Sequence, residues 1–224
     1  MIAVAVTWGY LRFVDKGQLK DLGLGWQSSS VIVLAIGWIT SVVAVTIALM
    51  AGCWLGKMDF QGLASPSVWA VLAVLGIATQ AGWVEELVCR GVVLQKVEAG
   101  ANRSIAIIVS SMLFVFFHLF SSWAPSPVRL LQLALFGLTM AAAYYVASRR
   151  LWLPVGLHWG ADLAVFSHLG LNIGRQGALI NWRITGSWTI AGANLVDWLI
   201  LASLPLIWLC LGVWWWHTRQ TQAA

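Results

Sequence analysis

Five stretches of about twenty residues, Val31–Leu55, Val68–Val84, Ser104–Trp123, Leu130–Ser148 and Trp198–Trp216, contain no Asp, Glu, Lys or Arg. A helix rises about 1.5 Å per residue, so runs of this length match the ~30 Å hydrocarbon core of a bilayer. A sixth run, Leu151–Leu169, qualifies if His158 and Asp162 are tolerated inside it. Composition points the same way, with 9% charged residues against about 25% in soluble domains. A soluble enzyme, a coiled coil and a disordered tail are excluded. An outer-membrane barrel would alternate apolar and polar residues, which these unbroken runs do not. The predicted fold is all-α, a polytopic transmembrane helix bundle of six or seven spans forming a single membrane domain, 1–224, with its polar site inside the bundle.

Gly62–Pro66, Pro125–Pro127 and Arg149–Arg150 interrupt the apolar runs where loops are expected. Met1–Val14 is short and is expected to be a half-span or an interfacial helix, without the features of a signal peptide. Ile184–Val196 is too short and too rich in Gly and Asn to span, so a loop, a re-entrant piece or an extension of the last helix is expected. The net charge of +5 resides in loops, which suits a membrane protein and argues against nucleic acid as a partner. If the Arg12/Lys16/Lys20 loop is cytoplasmic, nine Lys and Arg fall inside and four (Lys57, Arg129, Arg175, Arg183) outside. Many of the 16 Trp sit near run ends, as interfacial anchors do. Cys53, Cys89 and Cys210 have no metal or disulfide spacing and are expected to be small buried residues.

Ionisable groups within membrane spans are costly and mark functional sites. Of only eight acids and four histidines, Glu85, Glu86, Asp162, His118 and His158 lie in or beside apolar runs. In Glu85-Glu86-Leu87-Val88-Cys89-Arg90, placed at the end of a hydrophobic helix, Glu86 and Arg90 are i,i+4 neighbours and can pair. Glu85 projects about 100° away and is left as a candidate general base, or as a charged helix end at the interface. Phe114 precedes His118 by one turn, and that histidine is either a site residue or hydrogen-bonded to a neighbouring helix. His158 and Asp162 share one face, and Gly160 between them permits close approach of another helix. Asp197 and His168 are expected as cap or interfacial residues, as is His217.

EExxxR, FxxxH and HxxxD, on three separate spans in that order, resemble the motifs of the CAAX protease and bacteriocin-processing family. These intramembrane proteases include the Ras-converting CAAX endopeptidase. The resemblance covers about Val68–Ser167, expected to be the catalytic core, and Asp21-Leu22-Gly23-Leu24 resembles the family's N-terminal loop. It implies an intramembrane endopeptidase in which Glu85 activates water assisted by His118. His158 and the residue four later stabilise the oxyanion, and Glu86, Arg90 and Phe114 support them. That last position is most often Asn in the family and is Asp162 here. An ionised Asp cannot donate a hydrogen bond, so Asp162 is either protonated or orients His158.

Two histidines and a glutamate also match a zinc site, with Glu85, His118 and His158 as ligands. HExxH is absent, and a metal-bound Glu85 would no longer be the base, so no obligatory cofactor is expected. Implied partners are membrane lipid and a peptide or protein substrate, lipidated or carrying a leader or sorting segment. Compactness suggests a bacterial plasma membrane. The alternative is a non-catalytic immunity or scaffold protein that keeps the polar cluster for packing.

Overall fold

A computed structural model of the chain describes residues 18–119, 126–169, 178–185, 189–190 and 193–223. Met1–Val14, Lys16, Trp123, Pro125 and Arg175 lie outside the described residues, as does the side chain of His217. A single 3₁₀ turn, Leu19–Leu22, leads into α1 (Ser30–Trp54). Strand β1 (Met58–Leu63) and helix α2 (Val68–Glu86) follow; α2 continues through a π-helical segment, Leu87–Leu94, into α3 (Gln95–Gly100). Then come α4 (Arg103–Leu119), α5 (Pro127–Val146), α6 (Trp152–Leu169), β2 (Ile180–Ile184), the short β3 (Thr189–Ile190) and β4 (Ala193–Asn194), and α7 (Leu195–Ala223).

The all-α transmembrane bundle stands. Ser30–Trp54, Val68–Gly100, Pro127–Val146 and Leu195–Trp216 are long and apolar enough to cross a membrane. Arg103–Leu119 is shorter within the described residues, and Trp152–Leu169 is diluted by its own histidines and aspartate. Many large apolar side chains, among them Ile32, Leu72, Ile108 and Leu209, are exposed on the outside of the bundle, where lipid replaces water as their solvent.

Helix α6 is central, and small residues put it there. Gly156 and Gly160 lie one turn apart, and a Cβ on either would strike the backbone of Leu34 or Trp38 in α1. Gly37 answers from α1: its Cβ would lie 2.7 Å from the Leu153 carbonyl. On another side of α6, a Cβ on Gly82 of α2 would lie 2.8 Å from Trp159 Cα. With lipid as solvent there is little hydrophobic drive to join helices, and such close backbone approach lets dispersion do so. The expectation for Gly160 is met by Trp38.

Four details differ from the sequence reading. The glutamate motif lies within the 33-residue helical rod Val68–Gly100 and not at a helix end. Within Ile184–Val196 the last helix is extended back to Leu195, one of the expected outcomes, but strands were not expected: Ile184 ends β2, which pairs antiparallel with β1 (Asp59 opposite Arg183, Phe60 opposite Trp182), and β3 pairs with β4. Only Cys89 is fully buried, whereas Cys53 is partly exposed and Cys210 exposed. His168 is buried, with Nε2 3.3 Å from Thr46 Oγ1. Among the loop charges, Arg103 and Arg149 meet Glu98, Arg150 meets Gln27, and Arg183 meets Asp59 across the β1–β2 pair.

The loop breaks are sharp. Ser148 and Arg149 adopt left-handed conformations, φ 56° and 65°, and close α5. Gly23, at φ 92°, ends the 3₁₀ turn and accepts the Leu151 N–H at 3.0 Å, tying the N-terminal loop to the start of α6. Leu22 is thereby buried with Leu87, Leu94 and Leu151 beneath the π-helical segment.

Candidate active site

The three motifs converge. Glu86 and Arg90 are fully buried, and Arg90 Nη1 donates to Glu86 Oε1 at 3.0 Å while Nη2 donates to the Gly137 carbonyl of α5 at 2.7 Å. That carbonyl is reachable because α4 and α5 pack closely there; a Cβ on Gly137 would lie 3.1 Å from Ser111 Cα. His158 Nδ1 donates to the same Glu86 oxygen at 2.8 Å, so one carboxylate joins α2, the π-helical segment and α6. A π-helical stretch inside an α-helix often coincides with a functional site, and here it carries Arg90.

Glu85, turned about 100° from Glu86, faces a cavity of about 420 Å³. Its Oε2 is 3.9 Å from His118 Nε2 and 3.9 Å from His158 Nε2, and it has no hydrogen-bond partner among the described residues. His118 Nδ1 donates to the Phe114 carbonyl at 2.8 Å, which turns Nε2 towards Glu85. Asp162 Oδ2 is 3.6 Å from His158 Nε2. The buried Phe114 ring lies 4.6 Å from the His118 ring and 5.6 Å from the His158 ring, with the Arg90 guanidinium 5.3 Å from its centroid. Phe136 of α5 meets His158 edge-on at 5.0 Å.

All the residues singled out from sequence therefore meet in or beside one cavity: Glu85, His118, His158 and Asp162 line it, as does Phe114, with Glu86 and Arg90 directly behind. Among the described residues, no three His, Cys, Asp or Glu form an arrangement that would hold a metal ion. Sequence reasoning missed further polar lining residues. Arg129 and Gln132 of α5 face the cavity, as does Gln80 of α2. Arg129 was assigned to an outer loop. The signal that might have found it is its position just inside Pro127, at the start of a span. Asp197 is buried in the first turn of α7, not interfacial, and interacts electrostatically with Arg129.

Fold and cavity together define a polytopic helical membrane protein with paired carboxylates and imidazoles enclosed in its interior. Residues 67–164, which contain all three motifs, match the Rce1-like family, described as type II CAAX prenyl endopeptidase Rce1-like. Over this segment the chain is similar to the CAAX protease family. No curated protein and no solved structure matches it.

Proposed function

We propose that the chain hydrolyses a peptide bond of a membrane-associated substrate with a water activated by Glu85 and His118. The observation that carries this reading is the unpartnered Glu85 Oε2, 3.9 Å from two imidazole nitrogens on two other helices. A water making hydrogen bonds of about 2.8 Å can bridge a gap of that size. Glu85 takes the proton as the water oxygen attacks the carbonyl carbon, and His118 Nε2 orients the water. The proton then passes to the leaving amine nitrogen as the C–N bond breaks. His158, anchored through Nδ1–H on Glu86, directs Nε2 at the tetrahedral oxyanion and stabilises it when that nitrogen carries a proton. Asp162 orients the ring from 3.6 Å.

Glu85 serves as base and not as a metal ligand in this scheme, so no cofactor is required. The substrate class is a peptide whose end is held at the membrane, either lipidated or carrying a leader or sorting segment. The proposed location is a bacterial plasma membrane. The test is cleavage of a quenched fluorescent peptide ending in S-prenyl cysteine and three further residues, by protein in detergent micelles. Glu85→Gln should lower the rate by about 10³–10⁴-fold and His118→Ala by about 10²–10³-fold, both with unchanged thermal unfolding. Full activity in both variants would sink the mechanism.

A further inference from the structure

None of the three motifs supplies the second cation of the cavity. Arg129 enters at the first turn of α5, where Ser126 Oγ accepts its backbone N–H at 3.0 Å and fixes the start of the helix. Its Nη1 donates to Gln132 Oε1 at 3.0 Å, and its side chain lines the same cavity as Asp162, His118 and His158, where its charge acts on Asp162 and His118 as well as on Asp197 of α7. The charged and titratable groups facing Asp162 are thus His158 on its own helix, Glu85 and Glu86 on α2, and Arg129 on α5.

Asp162 places a carboxylate on the cavity wall, with Oδ2 3.6 Å from His158 Nε2. An amide there can donate a hydrogen bond to a developing oxyanion, whereas a carboxylate only accepts, and its charge opposes the one that develops. We propose that Arg129 is the counter-charge that makes aspartate workable at this position. It offsets Asp162, so that His158 meets the oxyanion in surroundings without excess negative charge. Arg129 is a positioning residue that acts through Asp162, and Asp197 adjusts the same guanidinium from α7. The inference rests on the endopeptidase reading above.

A double-variant cycle on the full chain tests it, using the prenylated fluorescent peptide and, independently, thermal unfolding in detergent. Arg129→Gln should lower kcat by about 30–100-fold with KM changed less than about threefold. In an Asp162→Asn background the same change should cost less than about threefold, because a neutral amide needs no counter-charge. Arg129→Lys, which restores the charge, should recover most of the lost kcat. Unfolding should show coupling of the same sign: Arg129→Gln lowers Tm, and adding Asp162→Asn restores part of the loss. Equal losses in both backgrounds, or no loss from Arg129→Gln, overturn the proposal. If Arg129→Gln alone does not fold, a folded and active double variant supports the pairing, and a folded but inactive one overturns it. Glu85→Gln run alongside separates the two ideas: surviving cleavage removes the endopeptidase mechanism, while the unfolding cycle still decides the charge pairing.

Discussion

Glu86 is wholly buried and accepts hydrogen bonds from both Arg90 and His158, whereas Glu85 keeps 27% of its side chain exposed and sits 3.9 Å from two imidazoles. They are consecutive on the helix, about 100° of rotation apart. One carboxylate faces the packed junction of α2, α5 and α6, and the other faces the cavity. The contrast teaches how a membrane bundle makes a reactive carboxylate: Glu86 absorbs the structural charge pairing through Oε1, and its neighbour is left to line the cavity beside two imidazoles. Glu86 acts as a fixed post for His158, and Glu85 is available for chemistry.

The sharpest way to break that contrast is Arg90→Ala. It leaves the Glu86 carboxylate buried without its guanidinium and should lower stability by about 3–5 kcal/mol. Thermal unfolding of the purified protein in detergent measures this, and an unchanged Tm would show that the Glu86 side is no more structural than the Glu85 side. A smaller effect should follow from Gly82→Ala. Its new Cβ would lie 2.8 Å from the Trp159 backbone, pushing α2 away from α6. A cost of about 1–3 kcal/mol is expected from such overpacking, with activity falling alongside as Glu85 and His158 separate. Unaltered activity would mean that the helix contact does not set the spacing of the site. Least of all should change on prolonged treatment with a zinc chelator, since Glu85 is assigned to proton transfer. A loss of cleavage reversed by added zinc would instead make Glu85 a ligand and redraw the comparison.

Much of this was legible in the chain. Apolar runs located the helices, and the i,i+4 spacing of Glu86 with Arg90 and of His158 with Asp162 anticipated two contacts now measured at 3.0 and 3.6 Å. The strands were not anticipated, because β1 and β2 pair residues more than a hundred positions apart and each strand is short. The π-helical continuation was hidden because the charged motif looks the same at a helix end and inside a longer rod. His168 and Asp197 were misplaced for a related reason: a polar residue near the end of a span can face either the interface or the interior, and only its packing partners decide which.

By itself the sequence determined the membrane environment, the helical class and two pairings within one turn of one helix, Glu86 with Arg90 and His158 with Asp162. Those follow from hydrophobic length and from the fixed 3.6-residue turn, which need no knowledge of neighbours. Only the tertiary structure decided that Glu85, His118 and His158 share a cavity, and that Arg129 and Asp162 line it together. Those relations depend on how separate helices are rotated against each other. Here the rotation is fixed by backbone contacts at Gly37, Gly82, Gly156 and Gly160, where a single methyl group would not fit.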